Sequence, residues 1–123
     1  MTQLLNTALD RYIGLADQAI ADPAAFDQFI SVFSPDAVVQ IDDTPMTGPA
    51  IVEFYREFVA SFAESKHFWN TTVLDDGTLK ATWVCAGRMA DGTVVTVAGV
   101  EHARVNQDDL IVDLRNEFTR RPG

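Results

Sequence analysis

One cysteine, two histidines and a shortage of basic residues exclude several kinds of protein for this chain of 123 residues. Cys85 alone cannot close an intrachain disulfide, and two histidines without short-spaced partner ligands do not make a metal site. No run approaches the roughly 18 apolar residues that a membrane-spanning helix needs, so a soluble protein without membrane contact is expected. The opening Met1-Thr2-Gln3-Leu4-Leu5 lacks the basic flank and continuous apolar stretch of a secretion signal, which makes the cytoplasm the expected location. Nine Lys and Arg stand against eighteen Asp and Glu, a net charge of −9. The only basic pair, Arg120-Arg121, reads as a solvated tail end beside Pro122 and Gly123. A phosphate-binding surface needs clustered bases, so nucleic acid is excluded as a partner, and the negative field favours neutral, apolar ligands over anions. Repeats, low-complexity segments and linkers are absent, and the length suits one domain over residues 1–123.

The first part of the chain has helical periodicity. Residues 4–21 carry Leu5, Leu9, Tyr12, Ile13, Ala16 and Ile20 at helical spacing. Asp22-Pro23 reads as an N-cap with proline at the first helical position, opening a short helix with Phe26, Phe29, Ile30 and Phe33. A β-rich run at 37–41 and a loop at 44–49 lead to a third helix bearing Ile51, Phe54, Tyr55, Phe58, Val59 and Phe62. After Lys66 the period becomes that of strands. Asp76-Gly77 and Asp91-Gly92 mark hairpins between runs at 68–74, 78–88, 93–106 and 110–119. The predicted order is α, α, β, α and then four antiparallel strands. Strands this long twist and bend, with Gly87 and Gly99 as natural bend sites, and a bent sheet under helices leaves a concave apolar space for a ligand.

Within the run 93–106, one parity is Thr93, Val95, Val97, Gly99, Glu101, Ala103 and Val105. It is apolar but for its threonine end and Glu101, so the carboxylate is carried into the interior, where desolvation raises its pKa. His102 then points to the opposite face. Asn116 repeats the anomaly on the last strand, sharing parity with Leu110, Val112, Leu114 and Phe118, and could meet Glu101 or a ligand. The outer parity, with Val84, Ala86, Val94, Thr96, Ala98, Val100 and Ile111, is apolar enough to suggest a face covered in a homodimer.

The element order, with Arg11-Tyr12-Ile13, Phe33-Ser34-Pro35-Asp36-Ala37-Val38-Val39, Gly48, Ile51, Glu53-Phe54-Tyr55 and Val100-Glu101-His102, resembles the nuclear transport factor 2-like superfamily and its SnoaL-like and ketosteroid isomerase-like branches. The resemblance implies an α+β, cone-shaped fold: three N-terminal helices packed on a strongly bent, mostly antiparallel sheet enclosing a pocket. It also implies a homodimer built sheet to sheet. Tyr12 falls at the family's oxyanion-hole tyrosine and Glu101 at its protonated hydrogen-bond donor. Tyr55 matches a supporting pocket tyrosine, and Phe33 stands where another tyrosine often sits. The family's proton-shuttling aspartate falls on Ile41, which argues against a steroid isomerase.

The candidates for catalysis are Glu101 as acid or hydrogen-bond donor, Tyr12 assisting it, and Asp42 or His67 as base. Those for ligand binding are Tyr55, Phe33, Asn116, Trp69 and Phe58. Each also has a purely structural reading. Buried tyrosines commonly just satisfy a hydrogen bond, Asp42 and Asp43 suit a solvated turn, and Trp69 and Trp83 suit a core or dimer face. His67, after the third helix, is favoured as a cation by the helix dipole alone. The expected function is cofactor-free general acid-base chemistry on a small, largely apolar molecule, of isomerase, cyclase, hydratase or hydrolase type. The alternative is a non-catalytic ligand-binding or dimerisation module. A Glu101 paired only with a buried arginine, Arg11 or Arg88, would favour that alternative.

Overall fold

The computed structural model describes residues 6–121. The predicted start of the first helix at residues 4 and 5 lies outside them. Helix α1 (Ala8–Ala21) begins where Thr7 closes a capping box: its hydroxyl accepts from the Asp10 N–H at 3.2 Å, and Asp10 accepts from the Thr7 N–H at 2.9 Å. Leu9, Tyr12, Ile13, Ala16 and Ile20 are its buried stripe. Asp22 accepts from the Ala24 N–H as predicted, but the proline opens a turn of 3-10 helix (Pro23–Ala25) before a five-residue helix α2 (Phe26–Ile30).

Strand β1 (Phe33–Ile41) is longer than the predicted run. The segment expected to be a loop contains strand β2 (Thr44–Thr47), which folds back on β1 with Ile41 opposite Thr44. The turn between them is Asp42-Asp43, and Asp42 takes the positive φ, 51°, that such a tight hairpin needs. A short, proline-containing edge strand carries almost no periodic signal, which is why the pattern missed it. Helix α3 (Pro49–Ser61) follows. Strand β3 (Phe62–Val73) begins at once rather than after Lys66, so Phe62 belongs to the sheet and His67 sits in mid-strand rather than at the end of α3. Strands β4 (Leu79–Met89), β5 (Val94–Val105) and β6 (Ile111–Arg120) complete the chain.

The six strands form one curved sheet in the order β2-β1-β6-β5-β4-β3. All neighbours are antiparallel except β1 and β6, which run parallel. The α+β class, three helices and a mostly antiparallel sheet, agrees with the sequence. Burial alternates along β5 as predicted, with Val97, Gly99, Glu101 and Ala103 inward. Ile111, placed on the outer parity, is instead fully buried. Its register shows the cause: Val105 faces Ile111 and Arg104 faces Asp113, so β6 advances two residues against one and the bulge reverses the parity.

The main core joins α1, α2 and the inner face of the sheet around Leu9, Phe29, Val39, Ile111 and Leu114. A smaller cluster holds Trp83, Cys85 and Val97. Among the described residues no helix is long and apolar enough to cross a membrane.

Candidate active site

Inward residues line up in rows across the strands. Ile41, Asn116, Glu101 and Ala81 are successive register partners on β1, β6, β5 and β4. In another row His67 faces Cys85, which faces Val97. Between them Trp83 faces Gly99, where a Cβ would fall 2.8 Å from the indole and 2.6 Å from the Glu117 carbonyl oxygen. Only glycine leaves room there, and the indole passes over it to donate its Nε1–H to Asn116 Oδ1 on β6 at 3.1 Å.

Helices α1 and α3 contribute Tyr12 and Tyr55, whose hydroxyls are 2.9 Å apart. Their rings pack on Phe29 and Phe33. The Tyr12 hydroxyl also lies near enough to Glu101 to favour its ionised form. Either hydroxyl of the pair can donate to the other, and whenever Tyr12 accepts from Tyr55 its own proton is free to turn toward the Glu101 carboxylate. Together these elements enclose a mainly apolar cavity of about 70 Å³. Its lining includes Tyr12, Tyr55, Phe54, Phe58, Phe62, Ile41, His67, Trp83, Cys85, Val97, Glu101, Asn116 and Phe118.

His67 is gripped by Asp17 of α1, which sequence reading did not single out. The Asp17 carboxylate meets the His67 ring at Nδ1 (2.7 Å), accepts the His67 backbone N–H (2.8 Å) and accepts the Ser65 hydroxyl. Burial alone would pull the imidazole pKa down, but the bond to Asp17, helped by Cys85 opposite, overrides it and pushes it up to about 9. Burial works the other way on Asp17, yet His67 and Ser65 hold its carboxyl below the usual value. Glu101 is 3 % exposed, and burial lifts it to about 7 even though the His67 cation and the Tyr12 hydroxyl favour its ionised form. Burial likewise raises both tyrosines. Between about pH 7 and 9 the cavity therefore holds a carboxylate and an imidazolium at once.

Of the residues singled out from sequence, Glu101, Tyr12, His67, Tyr55, Asn116 and Phe58 meet at this cavity. Three lie elsewhere. Asp42 is bound to Arg121 and to the Phe118 N–H (3.2 Å), and the arginine holds its carboxyl below the usual value. Arg121, read as part of a solvated tail end, is exposed, but its guanidinium is paired with Asp42. Phe33 stacks on Tyr55 and meets Tyr12 edge-on, and it does not line the space. The Trp69 indole N–H is taken by Asp10 at 2.9 Å. Neither arginine is a partner of Glu101: Arg11 pairs with Asp109 and Arg88 with Glu64. Among the described residues no cluster of three or more His, Cys, Asp or Glu is arranged to hold a metal ion.

The row of Trp83 and Cys85 was within reach of the sequence, since both share the inward parity of β4. Asp17 was not, because its partner lies fifty residues away on β3.

Comparison with known proteins adds the family. Residues 18–114 match the SnoaL-like domain. The fold superposes on an NTF2-like protein from Exiguobacterium sp. 255-15 with a TM-score of 0.82 and 34 % identity, covering 91 % of this chain and 98 % of that one. It superposes on the Δ5-3-ketosteroid isomerase of Mycobacterium sp. with a TM-score of 0.71 and 19 % identity, covering 90 % and 92 %. A Mycobacterium tuberculosis protein in complex with estradiol-17β-hemisuccinate gives 0.71 and 15 %, covering 90 % and 93 %. No curated protein matches the chain.

Proposed function

The chain belongs to the SnoaL-like domain family, and from that premise we propose that it is a cofactor-free acid-base enzyme acting on a small apolar molecule, as an isomerase, cyclase, hydratase or hydrolase. The observation that carries the reading is the pairing of Glu101 and His67 on one apolar cavity, with ordinary pKa values displaced to about 7 and about 9. Glu101 as carboxylate takes a proton from the substrate. The His67 imidazolium, held by Asp17, returns one at a second atom, and Tyr12 backed by Tyr55 steadies the charge on Glu101. Asp42 has no part in this scheme, because its carboxylate is committed to Arg121.

The cavity serves as the pocket of a cone-shaped, single SnoaL-like domain. At about 70 Å³ it is far below the roughly 300 Å³ at which ordinary ligand pockets begin, so its substrate is smaller than the steroid derivative held by the mycobacterial neighbour. On the outer face, Phe68 and Val84 are register partners, 58 % and 45 % exposed, next to Ala98. A second copy packed sheet to sheet would cover this row, and sedimentation of a single-chain mass at micromolar concentration would remove the dimer.

The test is turnover of small ketones, epoxides and alkenes in D2O, read by NMR as deuterium incorporation, hydrolysis or hydration. Activity should follow a bell with limbs near pH 7 and 9 and fall at least a hundredfold in both Glu101→Gln and His67→Gln. Turnover indifferent to both substitutions would sink the reading. A second reading, a non-catalytic ligand-binding module, is favoured by Ile41: the position where the resemblance puts a base is an apolar cavity wall. Saturable binding without turnover would select it.

A further inference from the structure

Asn116 is 7 % exposed and lies between Ile41 on β1 and Glu101 on β5. Amide orientations are ordinarily ambiguous, but not here. A tryptophan N–H can only donate, so the amide atom facing Trp83 is Oδ1, and the NH2 end is turned elsewhere. Among the described residues this NH2 has no hydrogen-bond partner, and it is not sealed in the protein either, since no fully enclosed side-chain polar atom lacks a bond. The residue lines the cavity. Buried amides are almost always satisfied, and an unsatisfied donor fixed in place by a neighbour is an invitation to an acceptor.

We propose that Asn116 is a ligand-binding residue whose side-chain N–H, set by Trp83, receives the acceptor oxygen of a small neutral ligand such as a ketone, ester or cyclic ether. The occupant's chemistry follows from the neighbours. Glu101 on one flank opposes an anion, Ile41 on the other offers an apolar wall, and an N–H donor has nothing to give a cation. The ligand therefore lies with its oxygen at the β5-β6 seam and its hydrocarbon body toward Phe54 and Phe58. Gly99 belongs to the same device, because without its vacant side the indole could not reach Asn116. The inference rests on the cavity being a ligand site, but not on any turnover there.

The experiment uses cyclopentanone and methylenecyclopentane, alike in shape and different only in the acceptor, titrated into the 15N-labelled full chain. Cyclopentanone should bind at least tenfold more tightly and move the Asn116 side-chain NH2 signals in a saturable way, while the alkene leaves them in place. Asn116→Leu should erase the preference, and Trp83→Phe and Gly99→Ala, which release the amide, should cut it severalfold. Equal binding of the two compounds, or a preference that survives in Asn116→Leu, overturns the role of Asn116 alone. Binding of neither overturns both this inference and the pocket reading beneath it. If Asn116→Leu fails to fold, the wild-type NH2 shift decides the question.

Discussion

Asp10 and Asp17 stand two turns apart on the same face of α1, and both reach β3, yet they do opposite things. Asp10 is 8 % exposed and accepts four bonds, from the Thr7 N–H and hydroxyl, the Trp69 indole and the Thr71 hydroxyl. Burial would raise its pKa, but these donors hold it below the usual value. Every one of them is neutral, so the charge is consumed where it sits and ties the start of α1 to the sheet. Asp17 is also held below the usual value, but its main donor can itself carry a proton. Its charge is passed on as an imidazolium into the cavity, where Glu101 feels it. The charge of a buried carboxylate thus stays local or is relayed according to whether its donors titrate.

That contrast can be broken most forcefully at Asp10. Asp10→Ala takes the acceptor from the Trp69 indole, one bond from Thr71 and the side-chain half of the capping box, and should cost about 4 kcal/mol in urea unfolding while leaving the His67 titration near 9. A drop in the His67 value would mean the two ends are not independent.

Glu101→Gln sharpens the contrast from the receiving side. The folded-state pKa of Glu101, about 7, lies above its ordinary 4.5, so ionisation costs folding free energy. The cost is nil below pH 4.5, grows up to pH 7 and is then constant. Glutamine should therefore stabilise the protein by about 3 kcal/mol at pH 8 and by nothing at pH 4. Equal stability of the two proteins at pH 8 would contradict a buried, ionised Glu101.

The smallest effect is expected for Asp17→Asn. With burial left unopposed, His67 should titrate below its ordinary 6.5 instead of near 9, which NMR of the ring protons would read. A histidine raised in the folded state contributes stability that is complete below pH 6.5 and is lost as pH passes through 9. The variant should accordingly lag the wild type by about 2 kcal/mol at pH 6, with the gap closing by pH 10. An unchanged His67 titration would assign its elevation to something other than Asp17.

The sequence made some of this readable and hid the rest for physical reasons. The alternation of β5 put Glu101 inside, and the parity of β6 did the same for Asn116, because period-2 burial survives wherever pairing is regular. It failed at Ile111, where a bulge inserts a residue and reverses the faces. It failed at β2, too short and proline-bearing to show a period, and at the start of β3, where the apolar Phe62 fits a helix as well as a strand. The acid and donor side of the cavity was legible from one strand at a time. Asp17 was not, since at the margin of the α1 stripe it looks like any solvated aspartate until β3 brings His67 against it.

Gly99 has a kinetic consequence. By leaving β5 bare at one point it lets β4 brace a side chain on β6, two strands away. An amide held in this way has surrendered its rotational freedom during folding, not on meeting a ligand, so association carries less ordering entropy. A ligand of the right shape should then be captured without waiting for the wall to rearrange, and its residence time, more than its rate of arrival, should register whether the indole is in place.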